Sequence, residues 1–245
     1  MSEVKIYFDI LTLFPNFFDS PLSTSLLSKA IKKDLVNIRV HDIRRFGIGK
    51  HKQVDDRPFG GGAGMVLKPD VLAKSLKAAM RLRKEERPSL RPRVILLEAS
   101  GKTFTQQKAT VLSHKEWIIL VCGHYEGVDE RFKELLVDEE ISIGDYVLSG
   151  GETAAIVIID SVTRLVPGFL SKPDSLVHES FTPTQQEGEE IKLLDYPVYT
   201  RPEKFQKKEV PKVLLSGDHK GIKKWRSDQA LKKTQQLRPD LLEAS

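Results

Sequence analysis

Short apolar runs, each broken by glycine, mark the middle of the chain. Trp117 to Cys122 is continuously apolar and breaks into Gly123-His124-Tyr125-Glu126-Gly127. A second run, Ile141 to Ile143, breaks into Gly144-Asp145-Tyr146, and its sequel breaks again at Gly150-Gly151. Such runs predict strands buried on both faces, as in parallel sheets. Further strands are predicted at Lys5 to Leu13, at Val36 to Ile43 with its apolar-polar alternation, and at Val94 to Leu97. Helical spacing appears over Ser23 to Lys33, Asp70 to Met80 and Thr105 to Leu112, in a short acidic stretch after Arg131, and over Thr153 to Val166. Strand and helix alternate, which predicts an α/β fold with a largely parallel sheet. Ligands bind such sheets at the strand ends, so the three glycine-broken loops should form one pocket lined mostly by backbone.

Between these elements the period fails. Arg44 to Gly64 reads as one long loop. Arg81 to Arg93 is charge-dense, holds Pro88 and Pro92, and reads as a mobile basic turn. Residues 167–190 are polar, with prolines at 167, 173 and 183, and read as a linker. The expected organisation is therefore a domain at 1–166, a linker at 167–190 and a small, basic, mostly helical domain at 191–245. Gly60, Gly61, Gly62 and Gly64 are denser than a turn needs. Either the backbone approaches a ligand there or the segment is a free flap. Arg164 sits on an apolar helix just before Pro167-Gly168. Its charge must meet water, a carboxylate or a ligand.

Composition narrows the class. Charged residues make up 30% and hydrophobic residues 40%, and no apolar run approaches the roughly 18 residues of a membrane span. The start, MSEVKIYFDILTLFP, mixes acids with hydrophobes and reads as a first strand, not a signal peptide. The lone cysteine, Cys122, cannot form an internal disulfide, which points to the cytoplasm. From Lys192 onward there are thirteen Lys and Arg against seven Asp and Glu, so this quarter carries +6 of a net +5 and the rest −1. A polyanion such as nucleic acid would suit it, and so would plain solvation. The chain lacks G-x-x-x-x-G-K-[ST], a G-x-G-x-x-G between strand and helix, a G-x-S-x-G elbow and any His/Cys spacing suited to metal. A nucleoside cofactor without phosphates needs none of these.

Five blocks then carry a resemblance: His51 to Met65 (HKQVDDRPFGGGAGM), Leu120 to Arg131 (LVCGHYEGVDER), Ile141 to Glu152 (ISIGDYVLSGGE), Asp195 to Pro202 (DYPVYTRP) and Val210 to His219 (VPKVLLSGDH). In this order they resemble the bacterial tRNA (guanine-N1)-methyltransferases of TrmD type, in the SPOUT superfamily. The resemblance implies a parallel sheet with a deep trefoil knot. It implies S-adenosyl-L-methionine held by Leu96 and Leu97, by Gly123, Tyr125, Glu126 and Gly127, by Ile143, Gly144, Asp145, Tyr146, Val147 and Leu148, and by Gly150 and Gly151. It also implies a homodimer with active sites shared between subunits, tRNA as partner, and methylation of the guanine at position 37. Arg57, Gly60, Gly61 and Gly62 would shape the guanine site. Arg164 matches the family's catalytic arginine. The family's base is an aspartate in D-S-F, but here the motif reads Glu179-Ser180-Phe181. The extra methylene moves the carboxylate by about 1 Å, a shift that can cost about a hundredfold. Asp174 is the nearby substitute. A non-catalytic RNA-binding protein, or a methyltransferase for another RNA guanine, would share many of these features.

Overall fold

The computed structural model describes residues 6–170, 179–186 and 189–242. They fall into two compact units, Met1–Leu170 and Ser171–Ser245. The first contains, in order, β1 (Ile6–Thr12), α1 (Asp19–Ser23), α2 (Ser25–Lys32), β2 (Val36–Asp42), β3 (Asp55–Asp56), β4 (Val66–Leu67), α3 (Pro69–Glu86), β5 (Arg93–Thr103), α4 (Gln106–Ser113), β6 (Trp117–Cys122), α5 (Glu130–Leu136), β7 (Glu139–Ser142) and α6 (Glu152–Thr163).

Five strands form one sheet in the order β2-β1-β6-β5-β7, and every pairing in it is parallel. The α/β reading therefore holds. Strands β1 and β6 are buried along their whole length because helices cover both faces. One core gathers Phe8, Ile10, Leu97, Leu120 and Ile158; the other gathers Leu11, Leu72, Leu76, Leu96, Val121 and Phe132. Burying each such side chain contributes on the order of 1.5–3 kcal/mol. Successive strand residues face opposite ways, so Leu96 and Leu97 enter different cores.

Two expectations about irregular segments change. Arg81 to Arg93 is not a mobile turn: α3 runs on to Glu86, and Arg93 opens β5. Arg83 is fully buried. Its Nε donates to Asp9 Oδ2 at 3.0 Å and its Nη1 to Asn37 Oδ1 at 2.8 Å. Trp117 Nε1 donates to the same Asp9 oxygen at 2.8 Å, and His41 Nε2 lies 2.6 Å from Asp9 Oδ1. A charge buried in the sheet is tolerable only with such partners around it, and of the guanidinium nitrogens Nη2 alone finds no hydrogen-bond partner among the described residues. The long loop, in turn, holds a 3-10 turn at Ile43–Phe46, a bridge between Ile48 and Gln53, and the β3–β4 pair.

Strand β5 is broken once. Ile141 of β7 pairs with Leu97 and again with Lys102, so Glu98 to Gly101 form an outward excursion. A Cβ on Gly101 would lie 2.5 Å from the Ile141 nitrogen, which explains the glycine there.

The second unit contains β8 (Pro183–Gln186) paired antiparallel with β9 (Glu189–Lys192), β10 (Lys204–Phe205) paired with β11 (Lys208–Glu209), α7 (Lys212–Leu215) and α8 (His219–Leu237). The latter part of the expected linker is thus a hairpin, whose polar sequence gave no period to read. Helix α8 is polar on most sides, and it holds the chain before it by side chains: Thr234 Oγ1 accepts from Leu194 N at 2.8 Å, and Lys233 Nζ donates to Asp195 O at 3.0 Å. Among the described residues no helix is long and apolar enough to cross a membrane.

Candidate active site

Parallel pairing brings the carboxyl ends of β5, β6 and β7 to one edge of the sheet. The loops leaving them enclose a cavity of about 250 Å³. Leu97, Gly123, Tyr125, Glu126, Gly127, Ile143, Gly144, Tyr146, Val147, Leu148, Gly150 and Gly151 all line it. Two residues expected there do not. Leu96 is fully buried in the core on the opposite sheet face, as its place in the alternation requires. Asp145 is exposed and lies outside the lining. The sequence reading missed Glu98, Ala99, His124, Ile141, Ser142, Ser149 and Ala154, which also line the cavity.

Close backbone approach builds the walls. After edge strand β7 the chain returns to the end of β6, where Gly151 N–H donates to Gly123 O at 2.8 Å. His124 and Gly150 form a bridge beside it. A Cβ on Gly151 would lie 2.8 Å from Cys122 Cα, and one on Gly150 would lie 2.5 Å from His124 Nδ1. In the 123–127 loop Tyr125 takes φ 60° and Gly127 φ 124°. A non-glycine residue held there costs on the order of 1 kcal/mol, and such strain clusters at ligand sites.

Beneath the cavity, Glu152 is buried at the first turn of α6 and accepts from Thr12 Oγ1 at 2.7 Å. The helix N-terminus favours a carboxylate. Phe14, just past β1, packs its ring 5.0 Å from that of His124. Cys122 is buried, and burial, with the nearby Glu152 charge, pushes its thiol well above the usual range. It is an inert core residue.

The glycine-rich segment runs alongside this site. Glu126 N–H donates to Met65 O at 3.0 Å and Leu67 N–H to Gly127 O at 3.0 Å. Gly60, Gly61 and Gly62 have φ of 86°, 81° and 118° with open space where a Cβ would stand. Backbone conformation, not crowding, calls for glycine at these three. They do not line the cavity, and neither does Arg57. Arg57 is exposed in a separate groove of about 710 Å³ with Phe59, Lys68, Asp129 and Arg131.

The sequence model of the family described as tRNA (guanine-1)-methyltransferase, TrmD, matches residues 6–244. The chain belongs to this family. It is 51% identical to the tRNA (guanine-N(1)-)-methyltransferase of Dictyoglomus turgidum, over 96% of this chain and 89% of that protein. It is 49% identical to the one from Geotalea uraniireducens, over 96% and 90%. For Listeria monocytogenes the figures are 45%, 96% and 91%.

The residues that the TrmD resemblance assigns to catalysis fall in both units. Arg164 caps the C-terminal end of α6 in the first, half-buried, its N–H donating to Asp160 O at 3.0 Å. Glu179 lies in the second. It opens a turn closed by Thr182 N–H to Glu179 O at 3.2 Å, in which Phe181 takes φ 71°. Ser180 Oγ accepts from Asp195 N at 3.0 Å, fixing the turn. Glu179 lines a cavity of about 490 Å³ with Tyr196, His219 and Arg226. Asp174 lies outside the described residues.

Proposed function

We propose that this chain moves a methyl group from S-adenosylmethionine to N1 of the guanine at position 37 of tRNA, in the cytoplasm. The observation that carries the proposal is the glycine-walled cavity, two of whose three loops, those after β6 and β7, lie in sequence blocks that carry the family resemblance. The cavity fits a nucleoside donor. Glycine at 123, 150 and 151 lets its loops pack closely, where a Cβ would meet Leu97 O, His124 Nδ1 or Cys122 Cα. Leu97, Ile143, Leu148 and Ala154 offer apolar contact to a purine, and the surrounding loops offer peptide groups for its edges.

When bound, the donor supplies a methyl group on a sulfonium, with a neutral thioether as leaving group. This chain's residues supply the rest. Guanine N1 carries a proton and is a poor nucleophile until a base removes it. Glu179 takes that proton as the N1–CH₃ bond forms and the S–CH₃ bond breaks. The charge then spreads toward O6, where the fixed guanidinium of Arg164 stabilises it. Arg57 and the Gly60 to Gly62 segment shape the guanine site, and the base leaves its stack to enter it. The basic second unit, 191–245 with the linker before it, grips tRNA phosphates.

The return of 143–151 from edge strand β7, past β5, to the end of β6 supports a deep trefoil knot of SPOUT type. The enzyme works as a homodimer with sites shared between subunits. The exposed Tyr146, Val147 and Leu148 at the cavity mouth suit cover by a second copy.

Incubation of the protein with labelled S-adenosylmethionine and a guanine-37 tRNA transcript should yield 1-methylguanine, identified by mass spectrometry. An adenine-37 transcript should stay unmodified. Methylation at another guanine would refute the position. Tight tRNA binding with no transfer would favour a non-catalytic RNA-binding protein.

A further inference from the structure

The excursion in β5 does more than interrupt the sheet. It carries Glu98 to the cavity wall. Two carboxylates line the cavity, and Glu126 is exposed whereas Glu98 is half-buried. Glu98 is also fixed in place. Lys133 Nζ lies 2.6 Å from its Oε2 and is itself held by Glu130 at 3.4 Å and Glu140 at 3.8 Å. The other oxygen, Oε1, lies against Gly127 of the neighbouring loop, 3.1 Å from where a Cβ would be.

We propose that Glu98 accepts the ribose hydroxyls of the nucleoside in this cavity, and so sets a preference for ribonucleoside over deoxyribonucleoside donors. The inference rests on the cofactor reading given above. The buried Glu98 Oε2 makes no hydrogen bond of good geometry within the described residues, although Lys133 lies beside it, and a buried acceptor in that position takes a donor where one is offered. Lys133 already answers its charge, so a neutral donor suffices. A vicinal diol presents two hydroxyls within reach of one carboxylate, the chemistry by which an acidic residue holds ribose in dinucleotide sites. Burial pushes the Glu98 carboxyl above its ordinary range, with Lys133 opposing and Glu140 adding to the shift. A group so placed gains from every donor it receives.

The test is calorimetric. S-adenosylhomocysteine and its 2′-deoxy and 3′-deoxy counterparts are titrated into wild-type protein, Glu98→Gln and Glu98→Ala. A hydrogen bond to a charged group predicts a wild-type loss of about ten- to a hundredfold on removing a hydroxyl. In Glu98→Ala that deoxy penalty should shrink to within about twofold, because the pair is coupled. Glu98→Gln, which keeps size and an acceptor, should fall between. Equal wild-type affinity for ribose and deoxyribose ligands overturns the proposal, with no variant needed. So does a full deoxy penalty in Glu98→Ala. If wild-type protein binds no S-adenosylhomocysteine at all, the cofactor reading falls and this assignment falls with it. Normal binding without a ribose penalty removes this assignment alone.

Discussion

Gly151→Ala tests whether the cavity depends on backbone contact. The added Cβ would stand 2.8 Å from Cys122 Cα, 3.0 Å from Gly123 N and 3.2 Å from Cys122 Cβ. Carbon atoms settle at about 3.5–4.0 Å, so the returning segment must back away from β6 by roughly 0.7–1.2 Å. The Gly151 to Gly123 hydrogen bond, now 2.8 Å, would then exceed its useful length and forfeit about 1 kcal/mol. Repacking strain adds about 1–3 kcal/mol, for a total stability loss of about 2–4 kcal/mol. The displaced atoms are themselves the cavity wall. Affinity for S-adenosylhomocysteine should therefore fall at least about tenfold, and kcat/KM about a hundredfold. Thermal unfolding without ligand and calorimetry with it read the two effects separately. Gly62→Ala is the contrast: its Cβ meets open space but its φ is 118°, so it should cost about 1–3 kcal/mol of backbone strain and leave ligand affinity unchanged. Wild-type unfolding temperature and affinity in Gly151→Ala would refute the reasoning.

Three further outcomes are expected. Asp9→Asn strands the buried Arg83 and should cost about 3–5 kcal/mol at neutral pH. Burial raises the Asp9 carboxyl, but the His41 hydrogen bond and the Arg83 charge outweigh it, so the folded value lies below the ordinary 3.8. Its stabilisation is therefore full above 3.8 and lost as pH falls through the folded value, so chemical denaturation of variant and wild type should converge only once pH has dropped below 3.8 and through that lower value. Arg164→Ala should abolish methyl transfer while S-adenosylhomocysteine affinity survives, and Glu179→Gln should do the same; wild-type turnover in either removes that residue from the mechanism. Lys224→Ala, on exposed α8, should weaken tRNA binding and lower the salt slope by about one, and an unchanged slope would mean that this face does not meet phosphate.

What the sequence could disclose follows from what repeats along it. The sheet was legible because β1, β6 and the first half of β5 are apolar runs, and the cavity was legible because the glycines after β6 and β7 line it. Leu96 and Leu97 look alike in the sequence, since both faces of β5 are buried; only the register of pairing separates the cavity residue from the core residue. Glu98 was passed over because an acid after a strand resembles any loop acid until the bulge beyond it is known. Arg83 was hidden by the charges around it. Its position repeats the Leu72, Leu76, Ala79 face of α3, and that phase, with Asp9 inside an otherwise apolar strand, was the available signal. Short polar strands such as β8 and β9 carry no such mark, since two ladders of peptide bonds need no particular side chains.

Ile141 is engaged by β5 twice, before and after the excursion from Glu98 to Gly101. Both ends of that small arch are therefore moored to the same neighbour. Removing or adding one residue would have to be absorbed inside the unpaired stretch, or Lys102 and Thr103 would lose their register with Ile141 and Ser142. Its letters can be exchanged, within the room that Gly101 leaves, but its span is fixed. New ligand preferences in such a scaffold arise most simply by swapping residues in place, which leaves both moorings on Ile141 intact.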